Sequence, residues 1–183
     1  SAACREALRR IRAIAGDRFV LACGSPLGPA VGLVDAMRVG FDVGSRWEAP
    51  MFGHIWPHGN CSIKPAAVAT LHRQWMDGCW WRNDPDCLVV RDRANEHEPV
   101  KFDASHPGGN AEPEEFGLSD EEAGLWARLI HCLGTLVFLS ESYGALPTER
   151  RKLIDFVCRT RPPETLALEF TDQPDLLRLR NTG

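Results

Sequence analysis

An alternation limits what this chain can fold into more than anything else in it. Short apolar runs are separated by segments with helical periodicity along most of its length. Cys4, Ala7, Leu8, Ile11 and Ile14 recur at helical spacing over residues 2–15, and Gly16-Asp17 ends that pattern. Phe19-Val20-Leu21-Ala22-Cys23 is a continuous apolar run, which predicts a strand buried on both faces. Gly24 to Pro29 breaks it, and residues 33–43 form a second strand. Pro65 opens a helix with Val68, Leu71, His72, Trp75 and Met76 on one face. Cys79 to Val90 reads as a third strand, interrupted at Asn83-Asp84-Pro85-Asp86. Ser119-Asp120-Glu121-Glu122 matches a capping box, and the helix after it carries Leu125, Trp126, Leu129, Ile130 and Leu133 up to Gly134. Thr135 to Leu139 is a fourth buried strand that runs into Ser140-Glu141-Ser142. Pro147 to Cys158 is a last helix, with Leu153, Ile154 and Val157 facing inward. Strands and helices in this order predict an α/β fold with a parallel sheet and crossover helices.

Two stretches interrupt the alternation. Residues 44–64 are irregular and rich in Pro, Gly and His, and residues 91–117 read as a polar loop insertion. Pro162-Pro163 marks a boundary. Residues 1–160 are then one unit, and 161–183 a linker followed by the start of a β region, with strands at Thr165–Phe170 and Leu176–Leu179.

At 183 residues and 44% hydrophobic, the chain is long and apolar enough to bury one core. A net charge of −4 gives neither a basic nucleic-acid surface nor a membrane patch, and no apolar run is long enough to span a bilayer. Seven cysteines form no Cys-x-x-Cys pair and sit mostly in apolar segments, which predicts reduced, buried thiols and a cytoplasmic setting. The chain begins at Ser1, inside a helical pattern, and ends just after a strand-like segment. It reads as a piece of a longer protein.

The chemistry-bearing residues follow the strands. Arg38 and Asp42 close the second strand, and Asp84 and Asp86 break the third. Buried carboxylates are costly unless paired or hydrogen-bonded, so such pairs organise a site, a turn or both. Positions four apart in a strand share a face, which brings Arg38 and Asp42 together. On spacing alone they read as an ion pair at a strand end. Pro85 with its flanking carboxylates reads equally as a turn whose acids accept backbone hydrogen bonds, Asp84 above all.

Four motifs together resemble a known family. Cys23-Gly24-Ser25-Pro26, Arg38-x-x-x-Asp42, Asn83-Asp84-Pro85-Asp86 and Leu136-Val137-Phe138-Leu139-Ser140 are similar to the second half of a retaining α-galactosidase barrel, the melibiases of glycoside hydrolase families 27 and 36. The resemblance spans residues 1 to about 160. It implies strands five to eight of a (β/α)8 TIM barrel, whose sites are built at the C-terminal ends of the strands. It makes Asp42 the acid/base, Arg38 its partner or a sugar contact, and Asp86, Ser25 and Cys23 substrate-binding residues. Cys87 touches the sugar or only packs. A retaining hydrolase needs one carboxyl that protonates the leaving oxygen, and therefore one held protonated near neutral pH by burial or by a neighbouring carboxylate. The resemblance implies no cofactor and no metal. The partner is an α-galactoside oligosaccharide or glycoconjugate, with no nucleic acid and no membrane, and the open edges of a half barrel invite homo-oligomers. The nucleophile would belong to a fourth strand that this chain lacks, so the chain alone is expected to be inactive. Where many galactose-specific members carry an acid after the cysteine, this chain has Gly24, which opens an α-N-acetylgalactosaminidase or another retaining α-glycosidase as alternatives.

The remaining candidates are weaker. His54, His58, Cys61 and His72 invite a zinc site, and with it a non-catalytic, metal-stapled interaction module, but no recognised zinc spacing is met. Trp47 and Trp56 can stack on a sugar or cap the barrel mouth. Glu141 reads as a solvated loop acid on the site's face, and His97 and His106 as exposed residues of the insertion.

Overall fold

The computed structural model describes residues 1–48, 61–92, 117–133, 136–163, 166–170 and 177–181. Helix α1 (Ala2–Ala15) starts at Ser1, whose hydroxyl accepts from the Cys4 amide at 3.3 Å, and stops at Gly16 with φ +57°. Strand β1 (Leu21–Ala22), the short helix α2 (Leu27–Ala30) and strand β2 (Ala36–Arg38) follow. Helix α3 (Ile63–His72) and a 3-10 turn (Gln74–Met76) lead into β3 (Arg82–Asp84) and β4 (Cys87–Leu88). Helix α4 (Asp120–Leu133), β5 (Phe138–Leu139), a second 3-10 turn (Tyr143–Ala145) and α5 (Thr148–Arg159) come next. Strands β6 (Leu166–Phe170) and β7 (Leu177–Asn181) pair antiparallel with each other.

The fold is α/β, built on small parallel sheets. Strand β2 sits between β1 and β3, parallel to both, and β4 pairs parallel with β5. The Leu136 amide donates to the Asn83 carbonyl at 3.1 Å, so the segment entering β5 lies against β3 as well. Among β1 to β5 every pairing is parallel and follows chain order, so the C-terminal ends of β1, β2 and β3 share one edge.

Two apolar clusters support this edge. Ala22, Ala30, Val34, Met37, Val39, Met76 and Trp81 pack around β1–β3. A larger cluster joins α3, α4 and α5 to Leu88 and Val90, with Trp126 fully buried and its indole N–H donating to the Cys87 carbonyl at 3.1 Å. The capping box forms as expected: the Ser119 amide donates to Glu122 at 2.8 Å, and the Glu122 amide to the Ser119 hydroxyl at 3.2 Å.

Several expectations need correction. The first apolar run is not buried on both faces: Ala22 is buried, Leu21 half-buried and Phe19 61% exposed. The fourth strand is exposed, with Phe138 and Leu139 at 41% and 48%, because nothing among the described residues covers its outer side. Helix α3 buries Ile63, Ala66, Ala67 and Thr70 rather than the Val68–Leu71 side. Trp75 and Met76 belong to the separate 3-10 turn, where the helical register no longer applies. All seven cysteines are free, but none is fully buried, since they stand near element ends; Cys23, Cys79 and Cys158 are exposed. Gly134 and Thr135 lie outside the described residues, as does most of the insertion after residue 92. Among the described residues no helix is long and apolar enough to cross a membrane.

Candidate active site

Strand alternation sorts the residues of the Asn83-Asp84-Pro85-Asp86 step. Asn83 turns into the protein, fully buried, where its side-chain amide donates to the Arg73 carbonyl at 2.9 Å and its oxygen accepts from Trp81 at 3.0 Å. Asp84 points the other way, toward β2, with a side chain only 1% exposed. One of its oxygens accepts from the Asp86 amide at 2.8 Å, the turn-forming bond expected of it, and the other from Arg38 Nε at 3.0 Å.

Arg38 is the hub. Its Nη2 lies 2.9 Å from Asp86 Oδ1, and its Nη1 donates to Asp42 Oδ1 at 3.1 Å. One guanidinium therefore serves three carboxylates, two buried and one, Asp42, 71% exposed. Burial works to lower the Arg38 pKa, but the hydrogen bond it donates to Asp84 and the charges of Asp84 and Asp86 outweigh it and raise the value. The three contacts are unequal in strength. Losing one partner of a buried pair costs about 3–5 kcal/mol, whereas an exposed pair is worth about 0–1 kcal/mol. Arg38 is thus committed to Asp84 and Asp86, and Asp42 is only loosely tethered.

Thiols ring this cluster. Cys23 follows β1, the strand beside β2, and is exposed. Burial, then the charge of Asp86, pushes the Cys87 thiol up to about 11. Burial, then the charge of Asp42, raises Cys61. Ser25 stands half-buried in the turn after Cys23, beyond Gly24, whose φ is +67°. Arg38, Asp42 and Asp86 are therefore brought together, and Cys23 and Ser25 lie in the turn after the neighbouring strand β1. Asp42 is not buried by the described residues.

Three residues of the site's frame were not foreseen. Glu141 is no solvated acid: its side chain is 3% exposed, it accepts from the Val90 amide at 2.6 Å and it lies 3.2 Å from Arg91 Nε. Buried Arg46 donates from Nε to the Cys61 carbonyl at 3.2 Å. Gly44 lies so close to the same carbonyl that a Cβ would stand 2.7 Å from its oxygen. Position near the strand ends was the available signal for Glu141; nothing in the sequence marks the other two.

The zinc candidate does not gain support. His54 and His58 lie outside the described residues, as do Trp56, His97 and His106. Cys61 and His72 sit at opposite ends of α3, roughly 15 Å apart at 1.5 Å per residue, too far to share one ion. No group of metal-ligating side chains occurs among the described residues. Trp47 is half-buried against the larger apolar cluster, which favours packing over stacking on a ligand.

No family model matches the chain. Among solved structures it is similar to the α-galactosidase of Thermus thermophilus in complex with stachyose, with TM-score 0.60 and 28% identity over 85% of this chain. It is also similar to that enzyme in complex with p-nitrophenyl α-D-galactopyranoside, with TM-score 0.62 and 26% identity over 96% of this chain. The chain spans 30–31% of those structures' own length. Its α/β fold is α-galactosidase-like, related to that of a glycoside hydrolase.

Proposed function

We propose that this chain is part of a glycoside hydrolase that cleaves terminal α-galactosides with retention of configuration, and that it supplies the acid/base half of the site. The observation that carries this reading is the Arg38–Asp42–Asp84–Asp86 cluster at the shared C-terminal edge of parallel strands in an α-galactosidase-like fold. Strands that follow in chain order without reversal suit half of a closed (β/α)8 barrel rather than a doubly wound sheet. With β3 and β4 taken as one strand interrupted at Pro85-Asp86, they are then strands five to eight, with residues 161–183 opening a following β region.

In this reading Asp42, loosely tethered, turns its proton to the glycosidic oxygen as the C–O bond breaks. The alcohol leaves, and a carboxylate from the rest of the barrel takes the anomeric carbon. Asp42 then accepts a proton from water, whose hydroxyl displaces the enzyme carboxylate. Arg38 keeps Asp42 within reach, and Cys23 and Ser25 flank the sugar. Substrate and the remaining barrel enclose Asp42, providing the burial its acid role needs. The test is Asp42→Asn in the full-length parent. General acid catalysis contributes about 10²–10⁴-fold, so kcat/KM on alkyl galactosides falls by that order while activated aryl galactosides, whose leaving group needs little protonation, lose far less. Equal loss on both overturns the assignment.

A second reading concerns the sugar. Gly24 has open space where a Cβ would project, beside Cys23. That room admits a 2-acetamido group, and a panel of aryl glycosides separates α-galactosidase from α-N-acetylgalactosaminidase activity.

A further inference from the structure

Among the described residues Asp86 is the only non-glycine with positive φ, at +83°. An aspartate in that region stores strain that the surroundings must hold in place. Three donors hold it. Asp86 Oδ1 accepts from the Cys87 amide at 2.8 Å and lies 2.9 Å from Arg38 Nη2, and Oδ2 accepts from the Val43 amide at 2.8 Å. Val43 is the residue after Asp42. Asp86 therefore grips the Asp42 segment twice: directly by its backbone at Val43, and through Arg38, which reaches the Asp42 carboxylate at 3.1 Å. On its other side the segment is wedged at two glycines. A Cβ on Gly44 would stand 2.7 Å from the Cys61 carbonyl oxygen, and one on Gly40 3.3 Å from Ala66 Cα.

We propose that Asp86 is a positioning residue that fixes the segment carrying Asp42 for proton transfer, rather than a contact to the sugar. The inference rests on Asp42 being the acid/base. The family resemblance puts Asp86 among the substrate contacts, yet both of its oxygens are engaged by the protein and its side chain is 9% exposed. A carboxylate already satisfied from within has little to offer a hydroxyl. It has much to offer a loop whose backbone finds its acceptor there.

The test uses the full-length enzyme and three variants. Asp86→Gly removes the carboxylate while relieving the backbone, since glycine adopts positive φ freely; Arg38 keeps its buried partner Asp84, and circular dichroism confirms that the variant is folded before its kinetics are read. Gly44→Ala disturbs the same segment from the opposite side without touching a carboxylate. Asp86→Asn keeps one accepting oxygen. The readouts are kcat/KM on an alkyl α-galactoside and on 2,4-dinitrophenyl α-galactoside, and the inhibition constant of galactose. Asp86→Gly is expected to reproduce the leaving-group dependence of Asp42→Asn, losing on the order of 10²-fold on the alkyl substrate and under about 5-fold on the activated one, the signature of a lost general acid. Galactose binding stays near its original strength, Gly44→Ala shows the same pattern more weakly, and Asp86→Asn recovers part of the loss. Equal loss on both substrates with weakened galactose binding makes Asp86 a sugar contact and overturns the proposal, as does full activity of Asp86→Gly on the alkyl substrate. A failure of the underlying reading is separate: Asp42→Asn would then itself lack any leaving-group dependence.

Discussion

A guanidinium offers five N–H donors in a rigid fork, and Arg38 spends three nitrogens on three different carboxylates. Removing the hub and removing the exposed acid should therefore cost very different amounts. Arg38→Ala strands Asp84 and Asp86, and should lower unfolding free energy by about 3–5 kcal/mol. Asp42→Ala gives up one exposed contact, worth about 0–1 kcal/mol. Urea unfolding of both variants checks this, and similar losses would mean the three contacts share the charge evenly. At this scale the sequence was legible where bonds are local. The Asp84–Asp86 turn is a two-residue affair, and Pro85 marks it. The Asp86–Val43 bond joins residues far apart in the chain, and a periodicity reading has no access to it. Glu141, Arg46 and Arg150 were illegible for another reason. Charged residues default to the surface, and only the fold shows which buried carbonyls and amides call them inside.

At the scale of elements, the boundary between α4 and α5 depends on one of those hidden charges. Arg150 of α5 is 4% exposed; it donates to the Leu118 carbonyl at 2.7 Å and the Ser119 carbonyl at 3.1 Å, and reaches Asp120 at 2.9 Å. The Asp120 side chain is 92% exposed, so the ion pair itself contributes little. The two carbonyls matter more, because charged hydrogen bonds contribute about 1.5–3 kcal/mol each and buried acceptors left unpaired carry a penalty. Arg150→Met should cost about 2–4 kcal/mol by thermal or urea unfolding, whereas Ser119→Ala, which removes only the cap, should cost about 1 kcal/mol. An Asp120→Ala loss as large as that of Arg150→Met would put the ion pair first. The capping box was readable because its spacing is the mechanism. The inward face of α3 was not, since Ala66 and Ala67 look neutral in a pattern search. The small size of Ala66 is what lets the helix sit against Gly40, a close approach that hydrophobicity does not encode.

Across the whole molecule, the parallel strands leave apolar surface at both outer sides. Ile11 and Ile14 of α1 are 50% and 83% exposed and Phe19, before β1, is 61% exposed, while Val137, Phe138 and Leu139 are 38–48% exposed at β5. Strand β1 pairs only with β2, and β5 only with β4, among the described residues. The alternation of elements was legible enough to give parallel strands in chain order, but not which strands would be covered, because burial of an edge depends on what closes against it. Open apolar edges of parallel strands are association surfaces. The 183-residue chain on its own should therefore self-associate in a concentration-dependent way in sedimentation velocity, with faster-moving species growing as loading rises. Placing lysines on both sides, Ile14→Lys with Leu139→Lys, should shift the distribution toward monomer, since a charge on an apolar edge opposes pairing. Gly44→Ala, which disturbs only the Asp42 segment, should leave association as it is. A wild-type chain that stays monomeric across the whole concentration range would mean that these edges are closed in solution by some arrangement of the chain itself.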